Sequence, residues 1–232
     1  MQDNHTPTES TSPELAEASM TGIQNTTLVE QRRDQICEAA LELFLQKGFA
    51  STTIRDICAR SGVNQASIYD YIANKNDILR RLLNKMWFRS GAPNLYDLLE
   101  EHPDRPLKEN VAIYLKEVWA KKRKGTLLAY RTVPHLTKPD RKAMRARDAR
   151  VIGELAGQIR HLAELPDDDP RAQVVANLVI FMGGFGPLRD WLHTDLDSDL
   201  VADTVATAIV AMIESLHSQP STGTAQPTTD SK

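Results

Sequence analysis

The chain has 232 residues, of which 41% are apolar and 25% are charged. This length suits one or two globular domains, and the lack of a long apolar run or a secretory pattern at the start predicts a soluble, intracellular protein. Two cysteines exclude a disulfide framework, and an aromatic content of 6% with little alternation of apolar and polar residues disfavours a β-sandwich or barrel. We therefore predict an all-α fold.

Charge is distributed unevenly along the chain, although the formal net charge is only −3. Residues 1–26 carry four acids and no Lys or Arg, and their Thr, Ser, Pro and Gln content predicts a disordered arm. Residues 27–90 carry ten Lys or Arg against seven acids, and the last sixty residues carry two against seven. Residues 218–232 lack apolar periodicity and are predicted to form a disordered tail, so the folded part is expected over 27–217.

Four helices are predicted in close succession after the arm. A capping-box pattern begins the first helix at Thr27, and a second pattern of this kind begins a short helix at Thr53. Asn64 is the expected N-cap of another short helix. The predicted helices cover residues 27–48, 53–61, 65–72 and 76–90.

The two short helices, joined by a turn that contains Gly62, have the dimensions of a helix-turn-helix. The first turn of the second helix offers the amide of Gln65, the methyl of Ala66 and the hydroxyl of Ser67, which are groups that read base edges in a major groove. Four further residues are expected to contact phosphates: Thr53, Tyr69, Tyr71 and Lys75. The alternative is that these are ordinary solvated positions on a helical scaffold that binds protein and not DNA.

Four or five longer helices are predicted downstream, the last two over about 170–194 and 198–217. Three glycines fall inside the first of these two, at 183, 184 and 186, and we attribute them to close helix approach at a subunit interface. A phosphate-binding loop is disfavoured because no strand precedes the glycines and no GKS or GKT follows. The six histidines show no metal-binding spacing, so neither an enzyme nor a metal site is predicted.

Residues 32–87 resemble the N-terminal domain of the TetR family of bacterial transcriptional regulators. The resemblance lies in five ordered motifs: AALELFLQKGF at 39–49, TTIRDI at 52–57, SGV at 61–63, SIYDY at 67–71 and NKNDIL at 74–79. Ile72 and Asn74 depart from the residues usual in the family. The resemblance assigns base reading to Gln65, Ala66 and Ser67, backbone contact to Thr53, Tyr69, Tyr71 and Lys75, and a further base contact to Arg55.

The resemblance also implies an organisation and a function. It implies a three-helix DNA-binding domain over 27–74 and a helical effector-binding and dimerisation domain over 75–217. The expected protein is a cytoplasmic bacterial homodimer, joined by its last two helices and associated with the nucleoid when bound to DNA. It would act as a repressor released from a palindromic operator by a small molecule, with no cofactor, metal or membrane.

The family places its effector between the middle helices of the C-terminal domain, in a pocket that is mostly apolar and aromatic. Residues 127–138, LLAYRTVPHLTK, are similar to the middle helix of regulators that sense acyl-CoA thioesters, and the surrounding basic residues would suit the phosphates of that ligand. The alternative for each apolar candidate is a plain core position. The candidates are Trp87, Tyr96, Trp119, Tyr130, Arg131, His135, Met144, Phe181 and Phe185.

Overall fold

The computed structural model describes residues 14–19, 26–192 and 194–217, and in these ranges the fold is all-helical, with no strand. An N-terminal helical domain precedes a larger helical domain, as predicted. The α-helices are α1 (Thr26–Lys47), α2 (Ile54–Ser61), α3 (Lys75–Leu83), α4 (Leu95–Glu101), α5 (Leu107–Thr132), α6 (Lys138–Leu162), α7 (Pro170–Gly183), α8 (Phe185–Arg189) and α9 (Ser198–Glu214). Three 3-10 helices, Ile68–Asp70, Val133–His135 and Asp190–Leu192, and a π-helix, Asn84–Phe88, connect them.

The N-terminal domain is stabilised by an apolar core between α1, α2, α3 and the Ile68–Asp70 segment. Ile36, Phe44, Ile57, Ile68 and Ile72 are at most 1% exposed. The capping box predicted for α2 is present, since the Asp56 amide donates to Thr53 Oγ1 and the Thr53 amide donates to Asp56 Oδ2. Gly62 ends α2 at a φ of 72°, a conformation that glycine adopts without strain.

Two predicted boundaries in this domain are wrong. The helix α1 already includes Thr26, so Thr27 is a helical residue and not its N-cap. The helix predicted over 65–72 is a turn followed by the 3-10 helix Ile68–Asp70, with helical hydrogen bonds from the Ile68 amide to Asn64 O and from the Ile72 amide to Ile68 O. The segment between the caps of Asn64 and Asn74 is too short for more than two turns, and 3-10 geometry is common in such short pieces.

The larger domain is built around α5, which packs against α4, α8 and α9, while α6 packs against α7. The helix α5 runs unbroken to Thr132 and is followed by the 3-10 helix Val133–His135. No helix in the described ranges is long and apolar enough to cross a membrane.

The glycines near the end of α7 allow close approach within the chain, which corrects their assignment to a subunit interface. A Cβ added at Gly183 would lie 2.9 Å from the Tyr114 hydroxyl, and one at Gly186 would lie 2.5 Å from the Trp119 ring. Trp119 also donates from Nε1 to the carbonyl of Gly183 at 2.9 Å. These contacts pack α7 and α8 tightly on α5, and α7 ends at Gly183 instead of continuing towards residue 194.

Part of the arm predicted to be disordered over 1–26 is seated on the protein. Residues 14–19 lie against α3 and the π-helix, where Leu15 is 3% exposed. The Leu15 amide donates to Asn84 Oδ1 at 3.0 Å, and Asn84 Nδ2 donates to the Leu15 carbonyl at 2.9 Å. The Ala18 amide donates to Asp77 Oδ1 at 2.8 Å. Asn84 and Asp77 are fully buried and use these hydrogen bonds to satisfy their polar atoms, which explains why this part of the arm is ordered.

Side-chain contacts join the two domains. Arg80 on α3 donates from Nε to Asp140 Oδ1 on α6 at 2.9 Å. Burial disfavours the charged form of Asp140, but the hydrogen bonds from Arg80 and Thr137 outweigh it and lower the pKa of this carboxyl. One apolar cluster contains both α3 residues and residues of α5 and α6, including Leu128 and Met144. These contacts join α6 directly to the N-terminal domain.

Candidate nucleic-acid interface and ligand cavity

The segment that follows α2 presents polar groups to solvent. Gln65, Ala66 and Tyr69 are exposed and Ser67 is partly exposed, while Ile68 between them is fully buried. Asn64 fixes the start of the segment, because its side chain accepts from the Ala66 amide at 2.8 Å and its carbonyl accepts from Ser67 Oγ at 3.2 Å. Gln65 has no hydrogen-bond partner among the described residues, so its amide is available to a base edge.

The other predicted contact residues lie at the N-terminus of α2 and beside the segment. Arg55 is exposed and forms no ion pair within the ranges that the structure describes, which leaves its guanidinium available. The Thr53 hydroxyl donates to Asp56 at 2.7 Å, and Lys47 holds the pKa of Asp56 below its usual range. Tyr71 is partly exposed, and its carbonyl accepts from Arg33 Nε at 3.0 Å.

Lys75 is placed differently from the sequence prediction. Its ammonium donates to the carbonyls of Phe49 and Thr52, each at 2.8 Å, and to that of Ala50 at 3.4 Å. It also lies 4.5 Å from the centre of the Phe49 ring. An ammonium has three protons, and all three are used here. In this conformation Lys75 therefore fixes the turn before α2 and is not available to a phosphate.

Replacing Lys75 by methionine is expected to destabilise the protein by about 1–3 kcal/mol, because the part-buried carbonyls of Phe49 and Thr52 lose their donor. Urea unfolding at fixed protein concentration measures the change. Lys85→Met removes an equivalent charge from an exposed pair with Asp34 and is expected to cost less than about 1 kcal/mol. Unchanged stability together with a weaker salt dependence of DNA binding would instead place the Lys75 ammonium on a phosphate.

A cavity of about 430 Å³ lies in the larger domain, between α5, α6 and α7. This volume suits a small organic ligand. Four of the residues predicted to bind a ligand line it: Trp87, Tyr130, Met144 and Phe181. Its remaining apolar wall includes Val118, Ala129, Val133, Val151, Ile152 and Ile180.

Two cationic side chains reach this largely apolar cavity. Lys122 is 9% exposed, and burial together with the nearby Arg147 lowers its pKa to about 8. Arg147 forms an ion pair with Asp148 at 3.0 Å and lies 5.1 Å from the centre of the Trp87 ring. Burial raises the pKa of Asp148. The buried Trp87 Nε1 forms no hydrogen bond of normal geometry within the described ranges.

Five predicted ligand residues do not line this cavity. Trp119 and Phe185 border a separate cavity of about 180 Å³ beside α8. Arg131 donates to the Leu45 carbonyl of α1 at 2.6 Å, and His135 stacks on Phe49, so both join the domains. The Tyr96 hydroxyl accepts from Asn94 at the start of α4. The positions of Arg131 and His135 follow from the packing of the end of α5 and the segment after it on the N-terminal domain, which residue type alone does not reveal.

Lys122 and Arg147 are absent from the candidates predicted from the sequence, because the basic residues around 127–138 are assigned only as a group, to the phosphates of an acyl-CoA ligand. The available signal was helical spacing: Val118, Lys122, Thr126 and Ala129 fall on one stripe of α5, and all four line the cavity. A lysine in a stripe of buried residues differs from its neighbours Lys121 and Arg123, which are exposed and paired with acids.

Comparison with known proteins identifies the N-terminal region. A family model for bacterial regulatory proteins of the tetR family matches residues 36–82. The HTH-type transcriptional regulator HbdR of Aromatoleum sp. (strain CIB) is 34% identical over 131 residues, which is 56% of each chain. The HTH-type transcriptional repressor KstR2 of Mycobacterium tuberculosis (strain ATCC 25618 / H37Rv) is 34% identical over 55 residues, 24% of this chain and 28% of that protein. The chain therefore matches about half, or less, of the length of these relatives.

The whole fold also resembles solved structures. The structure of NalD, the secondary repressor of the MexAB-OprM multidrug efflux pump in Pseudomonas aeruginosa, superimposes with a TM-score of 0.54. The match covers 81% of this chain and 98% of that chain at 20% sequence identity. At this identity the likeness establishes the fold of both domains and their order.

Proposed function

The chain belongs to the tetR family of bacterial regulatory proteins, and from this premise we propose that it is a transcriptional repressor that binds a palindromic operator. The observation that supports this most directly is the exposed pair Gln65 and Ala66, which Asn64 holds at the start of the segment after α2. An amide and a methyl group in this position suit an adenine edge and a thymine methyl in the major groove. Arg55 supplies a further available donor.

Exposed apolar side chains support a homodimer. On α7, Val174, Leu178 and Phe181 are 62%, 45% and 58% exposed, and they follow one another at helical spacing. An exposed apolar stripe of this kind favours a partner surface. We assign the interface to α7 and α9, and we expect the two N-terminal domains of this dimer to bind half-sites about one DNA turn apart.

The cavity would hold the effector, and its position supports a mechanism of release. Trp87 lines the cavity and belongs to the π-helix that continues α3 into the larger domain. Met144 lines the cavity from α6 and packs in the core shared with α3. A ligand that favours one arrangement of these groups would shift the separation of the two N-terminal domains and lower operator affinity.

The chemical class of the effector can be identified by testing a panel of compounds for binding to the protein. Acyl-CoA thioesters belong in that panel because residues 127–138 resemble those of acyl-CoA-sensing regulators. Of this segment, Tyr130, Val133 and Pro134 line the cavity. The basic residues Lys138 and Lys142, at the start of α6, form no ion pair within the described ranges and suit an anionic ligand group at the surface.

Gln65→Ala tests base reading. The operator is expected to bind about 5-fold to 100-fold more weakly, because a bidentate base contact contributes about 1–3 kcal/mol of discrimination, while binding to unrelated DNA and its salt dependence stay unchanged. Fluorescence anisotropy with both DNAs at several salt concentrations measures this. Gln158→Ala, which removes the same side chain from α6, is the control and should bind as the unmodified protein does. Unchanged discrimination by Gln65→Ala would show that this face does not read bases.

A further inference from the structure

The ligand cavity contains a buried charge that no described residue neutralises. Lys122 is 91% buried, since 9% of its surface is exposed, and it forms no hydrogen bond or ion pair within the described ranges. Its neighbours on α5 are different: Lys121 pairs with Glu117 and Arg123 pairs with Asp190 at the surface. Burying an unpaired ammonium costs free energy, so a position of this kind favours an anionic partner that the chain itself does not supply.

The other charges of the cavity do not supply that partner. The two unlike charges of Arg147 and Asp148 are paired with each other at 3.0 Å. Asp97 interacts with Lys122 only electrostatically, without a hydrogen bond or ion pair. Its carboxylate instead accepts from the Asn94 amide at the start of α4, at 3.3 Å. The Trp87 side chain also interacts with Asp148 and acts to lower the pKa of this carboxyl. The cavity thus holds two cations and one carboxylate, which leaves one surplus positive charge.

We propose that the effector is a compact carboxylic acid, bound as its carboxylate with the anionic end on Lys122 and the apolar body against α6 and α7. This inference rests on the proposed function, because it names the ligand class of the same cavity. The body would lie among Met144, Val151, Ile180 and Phe181. A volume of about 430 Å³ holds a ligand of this size. A neutral thioester carbonyl would leave the charge of Lys122 uncompensated, so the free acid is favoured over its CoA thioester.

The test uses matched compounds and matched variants of the full chain. The probes are cinnamate and decanoate, each compared with its primary amide and its CoA thioester, and calorimetry measures binding to the protein without DNA. Lys122→Met removes the buried charge, whereas Lys124→Met removes an exposed charge two residues along the same helix. At least one acid is expected to bind tenfold or more tightly than its amide and its thioester. Lys122→Met should lose tenfold to 100-fold in affinity for that acid, and Lys124→Met should stay within twofold.

The pH dependence gives a readout that a purely structural role of Lys122 would not produce. The other charged or titratable groups that face or act on Lys122 are Arg147, Asp97, Asp148, Tyr114 and Tyr130. Burial raises the pKa of Tyr114 to about 12, whereas that of Lys122 lies at about 8. A bound carboxylate raises the pKa of Lys122, so acid affinity should be constant between about pH 6, where the ligand is ionised, and about pH 8, and fall about tenfold per pH unit above that. The affinity of Lys122→Met should not change through this range.

Each outcome decides the proposal. It is overturned if neither acid binds, if amides or thioesters bind as tightly as the acids, or if Lys122→Met binds the acids like the unmodified protein. Operator binding is measured separately on the same samples without ligand. Failure to bind any preferred DNA would refute the proposed function while the calorimetry still decides the ligand class. Normal operator binding with unselective ligand binding would refute only the carboxylate assignment.

Discussion

Leu178→Glu is expected to convert the dimer into monomers and to weaken operator binding by about 100-fold or more. Leu178 lies at the centre of the exposed stripe on α7, between Val174 and Phe181. A charge placed there would have to be buried in the proposed interface without a partner, which costs several kcal/mol. Two linked N-terminal domains bind two half-sites with a gain of about 10²–10⁴ in affinity over one, and a monomer loses this gain.

Sedimentation measures the oligomeric state, and anisotropy with the operator measures the affinity. Leu162→Glu is the matched control, because Leu162 is also partly exposed but lies at the end of α6, away from the stripe. This control should remain dimeric and bind DNA normally. A Leu178→Glu protein that stays dimeric at micromolar concentration would contradict an interface on α7.

Asn84→Ala is expected to destabilise the protein by about 2–4 kcal/mol, because it leaves buried backbone groups of residue 15 without partners. Asn84 is fully buried at the junction of α3 and the π-helix. Its side chain bonds both the amide and the carbonyl of Leu15, and it also donates to Glu17 at 2.8 Å. Urea unfolding at fixed protein concentration gives the free energy of unfolding.

Two comparisons separate this effect from a general weakening of the π-helix. Lys85→Ala changes the next residue, whose exposed pair with Asp34 should contribute less than about 1 kcal/mol. In a chain that lacks residues 1–19, Asn84→Ala should cost clearly less than it does in the full chain, since the arm contact is already gone. Equal costs in the two backgrounds would show that Asn84 does not act through the arm.

The parts of the fold that the sequence predicts best are those set by local hydrogen bonds. The capping box predicted at Thr53 forms at the start of α2, and the side chain of Asn64, the predicted N-cap of the next segment, accepts from the Ala66 amide at 2.8 Å. The N-cap of α3 is Asn74, two residues before the predicted start of this helix. The exposed position of Gln65 and Ala66 follows from the same local rules.

The features that the sequence did not predict depend on contacts between distant segments. The order of residues 14–19 requires Asn84 and Asp77, which lie about sixty to seventy positions away along the chain. The use of Lys75 as a donor to carbonyls requires the turn at 49–52 to fold back on α3. Neither set of contacts can be inferred from the composition of the local sequence. Lys122 is an intermediate case, because helical spacing predicts its burial but not the cavity that it faces.

The central claim is that the N-terminal domain reads a specific DNA sequence as a dimer. The most direct measurement is selection of bound fragments from a genomic DNA library with the full chain, followed by affinity measurements on the selected sequence. We expect a palindrome whose half-site centres lie about 10–10.5 base pairs, or a multiple of that spacing, apart, with binding that weakens as salt increases. Selection that yields no preferred sequence, or binding that is equal for all sequences, would contradict the account and favour a protein partner for this surface.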